Sequence, residues 1–531
     1  AIFFFTLTIK TKQIIIIAFA IYSEFSSYKE IVVQTKLGKI SGVIQFSRKG
    51  SSYFSFRGVR YAGPPTGKNR FRSPVPIKEW KGEMDATKDG FLCPQPMYSN
   101  SLMSEDCLIL NVYTKSLQDG LLPVIVYIHG GYYAIGGSHS DLLWNPRYLM
   151  DKYTVLVTFN YRLGLLGFIS TGSKDVPDNL GLKDQVLALK WVQDNIKYFG
   201  GDPDKVTLLG HSGGSIMVTL HMVSPMSRGL FHKVIAMSGA ATSHIRPQNR
   251  NTTQNLASHF QCPLDNKILL VKCLRNVPWE RLNEVIPDLL DWSCEIEKDF
   301  GKEIFMPLNP SILFAQGKFA RVPILAGITK DEFEPDAIID ELNQDFYKKA
   351  PEVLHYNPKL ISITRTLRFA YLKNKPISRR NLNAYGRLYS DSLVGHGIYR
   401  FINLARRYVD VFYYRQDFQG RYSWEYNLNG KPYGIFHGDD LLFLFVYTEK
   451  APLLEETDPE NLMIETVTTL WTTFAQTGTN PWTTKIRWNS TDRNHVRMLF
   501  LNKRSFLGYE SRSYRKRMKL WDYLFPIFNK I

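Results

Sequence analysis

The chain has 531 residues, 44% of them hydrophobic and 22% charged, a globular composition long enough to bury a large core. Its formal net charge is +17, yet Lys and Arg are spread along the chain, and the local cluster is Arg512, Arg515, Lys516, Arg517 and Lys519. No basic stripe accompanies a nucleic-acid-binding module, so the charge reads as a solvated basic surface and nucleic acid is excluded as a partner.

At the N-terminus, Lys10 and Lys12 precede an apolar run from Gln13 to Tyr22, and small polar residues follow. This layout predicts a signal peptide over residues 1–22 and hence a secreted, extracellular protein, with an uncleaved anchor as the competing reading. The run falls well short of the ~20 residues that span a bilayer, and no later stretch is long and apolar enough, so no transmembrane helix is expected. Five cysteines fit an oxidising compartment. Cys93 and Cys107 lie close in sequence, as do Cys262 and Cys273, whereas Cys294 is left over and reads as a buried, unreactive thiol. Asn251-Thr252-Thr253 and Asn489-Ser490-Thr491 are glycosylation sequons compatible with secretion.

Strands and helices then alternate without linker, repeat or low-complexity segment. Val124–Ile128 and Val155–Phe159 read as buried strands. Leu182, Val186, Leu189, Val192 and Ile196 recur at helical spacing and predict a helix from Gly181 to Tyr198. Val206–Leu209 is a short strand, and Ile216–Val223 has the length and composition of a buried helix. Later strands are predicted at Val234–Met237, Val322–Ala326 and Val409–Tyr414. The alternation predicts an α/β fold with a large, mostly parallel sheet covered on both faces. In such a sheet chemistry collects on loops leaving the carboxyl ends of strands.

The most informative of those loops is Gly210-His211-Ser212-Gly213-Gly214, which fits Gly-x-Ser-x-Gly. Chain that leaves a strand, reverses and enters a helix at once has no room for bulk two residues either side of the serine, whose hydroxyl is lifted out for attack on a carbonyl. A serine hydroxyl needs a base, and the base needs an orienting carboxylate; in this architecture the order is serine, acid, histidine. The acid should leave the strand ending near Ile328, where Asp331, Glu332 and Glu334 are all available, and the residues alone do not choose among them. His355, His396, His437 and His495 follow; His437 sits in a glycine-flanked loop, Tyr433–Asp440, whereas a surface-loop reading suits His355 and His495 better. An oxyanion hole needs backbone N–H groups. Ile128-His129-Gly130-Gly131-Tyr132-Tyr133 follows the first strong strand and resembles the His-Gly-Gly-Gly loop of esterases, and Gly213 N–H would be the other donor.

Together with further blocks, Tyr61–Pro65, Ser104–Tyr113, Asn160–Gly164 and Phe199–Pro203, these motifs make the chain resemble the type-B carboxylesterases of the carboxylesterase/cholinesterase family, from about Ile31 to Leu524. The resemblance implies an α/β-hydrolase fold in a single domain over 29–526. It implies Ser212 as nucleophile, His437 as base, Glu332 as acid, and oxyanion donors from Gly131, Tyr132 and Gly213. It also implies disulfides Cys93–Cys107 and Cys262–Cys273. No metal or organic cofactor is called for.

Four residues depart from the family pattern and change the walls of the site. His211 and Gly213 stand where the family has Glu or Gln and Ala, Tyr132 replaces the third small residue of the oxyanion loop, and Phe333 follows the acid in place of Gly. The short Cys93–Cys107 loop argues against acetylcholinesterase and for a general carboxylesterase acting on small-molecule esters. The loop around His437 also suits a juvenile-hormone-esterase-like enzyme, though the elbow lacks that subgroup's Gln. The rival class is a non-catalytic neuroligin-like or glutactin-like adhesion homologue. Such homologues lose a triad residue, and this chain keeps all three.

Overall fold

The computed structural model describes residues 30–528 apart from 119, 245–248, 286–291, 302, 334–338, 377, 379–380, 428, 480, 483–486 and 492–495. The proposed signal peptide at 1–22, Glu334 and His495 therefore lie outside the described residues. Among the described residues thirteen strands form one sheet. They are β1 (Glu30–Gln34), β2 (Lys39–Phe46), β3 (Ser52–Arg60), β4 (Glu83–Asp85), β5 (Ile109–Thr114), β6 (Leu122–Ile128), β7 (Val155–Phe159), β8 (Gly201–His211), β9 (Lys233–Met237), β10 (Ile324–Thr329), β11 (Val411–Gln416), β12 (Arg497–Leu501) and β13 (Phe506–Tyr509). The order is β1-β2-β3-β5-β7-β6-β8-β9-β10-β11-β12-β13, with β4 beside β2. From β7 to β12 every neighbouring pair is parallel; the flanks, β1-β2-β3-β5-β7 and β12-β13, are antiparallel.

The continuous apolar runs of the central strands are explained by burial on both sides. Val124, Val126 and Ile128 of β6 face one hydrophobic cluster, and Ile125 and Tyr127 face another. The same two-residue alternation divides Val234 and Ala236 from Ile235 and Met237 in β9, and Val411 and Tyr413 from Phe412 and Tyr414 in β11. Helices α1 (Leu180–Asn195), α2 (Gly213–Val223) and α3 (His396–Ala405) contribute to the first cluster, through Leu182, Met217 and Ile398 among others. Helix α4 (Asn461–Thr477) covers the opposite face with Met463, Val467, Leu470 and Trp471. The predicted helix 181–198 is observed as α1 followed by a tighter turn, Ile196–Phe199, which ends on Gly200 at φ 76°. A third cluster joins helices Ile361–Leu372 and Leu382–Ser390 to α5 (Arg512–Leu524) through Leu367, Tyr385, Met518 and Trp521. The basic cluster of the sequence lies on α5, where Met518 and Trp521 point inward and Arg517 pairs with Asp391.

Candidate active site

The strand β8 delivers Ser212 and the neighbouring strand β6 delivers the His129–Tyr133 loop, so two loops emerge side by side at the carboxyl edge of the parallel sheet. Ser212 adopts φ 57°, ψ −124°, a conformation that costs a non-glycine residue about 1–3 kcal/mol and that the surroundings must impose. They do so sterically and by hydrogen bonding. A Cβ on Gly210 would lie 2.3 Å from Gly214 O, and one on Gly214 would lie 2.0 Å from Ile128 O. Ser212 N–H donates to Met237 O on β9 at 2.8 Å, and Ile216 N–H donates to Ser212 O at 3.0 Å, which starts α2.

In the adjacent loop Gly131, Tyr132 and Tyr133 all have positive φ, at 105°, 52° and 64°. Gly131 O accepts from the N–H groups of Ala134 and Ile135 at 2.9 Å each, which folds the loop into a single helical turn. A Cβ on Gly213 would lie 3.2 Å from Tyr132 N and 3.7 Å from Gly131 N, so the three expected donors are clustered. His129 fixes the loop from below: its ring stacks on Tyr161 at 4.3 Å, and Nδ1–H donates to Gly130 O at 2.8 Å. Burial pushes this histidine down to about 4, so it stays neutral.

Of the described carboxylates on this loop, Glu332 is the one that meets His437. Glu332, 2% exposed, holds Nδ1 of His437 at 2.6 Å through Oε2, and the two residues are also joined by His437 N–H donating to Glu332 O at 2.6 Å. Its other oxygen, Oε1, accepts from Ser238 Oγ at 2.7 Å and Thr329 N–H at 2.8 Å. Asp331 is exposed and turns away, its Oδ2 accepting Ile435 N–H at 3.1 Å. Ser238, at the end of β9, was not anticipated; its signal was the small-residue run Ser238-Gly239-Ala240 directly after a predicted strand.

Two aromatic rings enclose the His437 imidazole. Phe333 stacks on it at 4.7 Å and 26°, and His211 lies 4.5 Å away on a 42° tilt. Burial, with His437 beside it, drives His211 well below the usual histidine range, so it stays neutral. The loop behind is pinned by Asp439, which accepts from Phe436 N–H, Trp424 N–H and Ser423 Oγ, and by Asp440, which accepts from Tyr414 OH at 2.8 Å. Burial raises these two carboxyls to about 6 and about 7.

Ser212 opens onto a cavity of about 140 Å³ whose walls include Tyr132, Ile216, Trp292, Met306, Phe333 and Leu393. Two sequence readings change here. His355, expected on a surface loop, lines this cavity, because the turn after helix Phe346–Val353 folds back towards the site. Cys294 also lines it and is half-buried rather than fully so, although burial does hold its thiol well above the usual range. His396 is fully buried on α3, where its Nε2 meets Asp522 at 3.1 Å, away from this group. Disulfides join Cys93 to Cys107 and Cys262 to Cys273. Asn251 and Asn489 are both exposed.

A parallel sheet of this order, with a strained serine at the turn after β8 and an acid–histidine pair from the loops after β10 and β11, is the α/β-hydrolase arrangement. Residues 29–521 match the carboxylesterase family, and the chain belongs to it. It is 35% identical over 508 residues to a juvenile hormone esterase of Tribolium castaneum, covering 86% of this chain and 85% of that protein. It is 33% identical over 485 residues to esterase FE4 of Myzus persicae, 84% of each chain. Among solved structures, juvenile hormone esterase from Manduca sexta, with OTFP covalently attached, superimposes with a TM-score of 0.84 at 28% identity, covering 93% of this chain and 99% of that one. The protein is a carboxylic ester hydrolase. No helix among the described residues is long and apolar enough to cross a membrane.

Proposed function

We propose that the protein is a secreted serine carboxylesterase that works through an acyl-enzyme. Ser212 attacks the ester carbonyl while His437 takes its proton on Nε2. Glu332 holds the Nδ1–H tautomer and stabilises the imidazolium that forms. The tetrahedral oxyanion accepts from the N–H groups of Gly131, Tyr132 and Gly213. His437 then protonates the departing alcohol, and water repeats the sequence on the acyl-enzyme. The observation that carries this reading is the buried 2.6 Å contact between Glu332 and His437, from the loops that flank a serine in strained backbone conformation. The small apolar cavity supports substrates with a short or slender acyl group, and the N-terminal layout and the two disulfides support an extracellular location. Exposed Asn251 and Asn489 are the proposed glycan acceptors.

The test is covalent labelling by a fluorophosphonate together with turnover of p-nitrophenyl esters of increasing acyl length. The wild type should label and turn over, and Ser212→Ala should do neither while melting like the wild type. Loss of one triad member costs such enzymes on the order of 10⁴–10⁶ in rate. A folded wild type that resists labelling under conditions where a known esterase reacts would sink the mechanism.

A further inference from the structure

Phe333 directly follows Glu332, at a position where the family has glycine, and its ring lies against the imidazole of His437. The two centroids are 4.7 Å apart and the planes differ by 26°. Rings so nearly parallel cannot lie side by side in one plane with their centres that close, so the face of one overlaps the face of the other. The phenyl is itself held in place. Its backbone N–H donates to Ser390 Oγ at 3.3 Å, and its ring meets Tyr389 at 5.2 Å and, edge-on, Phe436 at 6.2 Å. Phe436 precedes His437 in the chain, so this packing ties the phenyl to the loop that carries the imidazole.

An imidazole over a phenyl face gains more from it once protonated. Neutral, it has dispersion contact; charged, it also meets the negative face of the ring's quadrupole, which attracts a cation within about 6 Å of the centroid. Water screens this pair weakly, because the His437 side chain is 12% exposed. The attraction therefore favours imidazolium over imidazole, in the same sense as Glu332 on Nδ1. The other titratable groups beside this ring are His211, from the turn after β8, which stays neutral, and Asp439 and Asp440 on its own loop. We propose that Phe333 is a positioning residue for the reaction: its ring fixes the plane of His437 and stabilises the positive charge that develops there as Ser212 loses its proton. Glycine at this position would supply neither effect, so the departure from the family adds electrostatics to the imidazole as well as bulk to the cavity wall.

The kinetic part rests on His437 being the base, as proposed above; the effect of the ring on its protonation does not. The experiment compares the wild type with Phe333→Leu, Phe333→Tyr and replacement of Phe333 by pentafluorophenylalanine, which fills nearly the same space and reverses the charge of the ring face. Turnover of p-nitrophenyl acetate is measured against pH, and the His437 ring is titrated by NMR of isotope-labelled histidine, its signal assigned from the spectrum of His437→Gln.

Phe333→Leu and the fluorinated protein should lose on the order of 5- to 30-fold in kcat. The acid limb of kcat/KM and the His437 titration midpoint should both move to lower pH, by about one unit, because the proton on the ring is then held less firmly. Phe333→Tyr, whose ring face is still negative, should match the wild type in both readings. Where Phe333→Leu melts lower than the wild type, the fluorinated protein decides, since it keeps the packing. A lowered kcat with unmoved midpoints in both proteins overturns the proposal, because a ring that only packs does exactly that much. A fluorinated protein that behaves like the wild type overturns it too. A midpoint that falls as expected in a protein that hydrolyses no ester refutes the esterase mechanism and leaves the hold of Phe333 on the His437 proton standing.

Discussion

Ser238→Ala isolates a residue that never touches the expected nucleophile. The substitution removes a single hydroxyl, which donates to Glu332 Oε1 at 2.7 Å in a buried setting, and leaves Thr329 N–H at 2.8 Å on the same oxygen. Because serine already carries a Cβ at φ 53°, alanine adds no backbone strain. A hydrogen bond to a charged group is worth about 1.5–3 kcal/mol, and one donor of the two on Oε1 survives, so roughly half to all of that range should appear. If the carboxylate then holds the His437 ring less firmly as the imidazolium forms, kcat should fall on the order of 10- to 100-fold, since each ~1.4 kcal/mol is a factor of ten. KM should change little. The assay is steady-state turnover of p-nitrophenyl acetate beside thermal unfolding of the same preparation. A variant that melts lower but keeps kcat within about twofold of wild type would show that the bond supports the fold and not the reaction.

Glu332→Gln should lower kcat by on the order of 10³–10⁴, since an amide cannot enforce the tautomer, whereas Asp331→Asn should stay near wild type because Asp331 is exposed and bound to Ile435 N–H. Comparable losses at the two positions would refute the assignment. Tyr132→Gly should extend turnover from acetyl and butyryl esters to octanoyl and branched ones, because residue 132 lines the cavity and its φ of 52° suits glycine; kcat/KM across the series reads this, and an unchanged profile places the ring outside the pocket. Buried His244, pushed down to about 3, is neutral in the fold and takes a proton near pH 6.5 once unfolded. Its contribution to stability is therefore present above pH 6.5 and lost as pH falls towards 3. Asp440 and Glu510, raised to about 7 by burial, act in the opposite sense, so the comparison is with a variant: the melting-temperature gap between wild type and His244→Phe should shift in favour of the variant between pH 7 and pH 4. A gap independent of pH refutes it.

The sharp turn at Ser212 was legible because its constraints are local: only glycine fits at 210 and 214, whatever the rest of the chain does. The central strands were legible because burial on both faces leaves unbroken apolar runs. The antiparallel flanks β1–β5 and β12–β13 escaped because polar residues interrupt their apolar runs. The carboxylate that meets His437 stayed ambiguous because three crowd one loop, and only the pairing of that loop with the segment before His437 distinguishes Glu332 from Asp331. Ser238 carried only the weak signal of a small-residue run after a strand; its partner lies 94 residues away, and no spacing rule connects them. The grouping of His211 and Phe333 around the His437 ring likewise arises from three separate loops.

The close fit of Gly214 against Ile128 O, and of Gly130 against the carbonyl of His211, locks the serine turn and the oxyanion loop to one another as well as to the sheet. A side chain at either glycine would run into the facing backbone. Trp292, Met306 and Leu393, which form the far wall of the cavity, come from segments outside the sheet's edge and share none of these contacts. Substitutions among those wall residues can therefore reshape which ester fits while the reacting atoms keep their places. Preference for a new substrate is open to change one wall residue at a time, in a way that the chemistry itself is not.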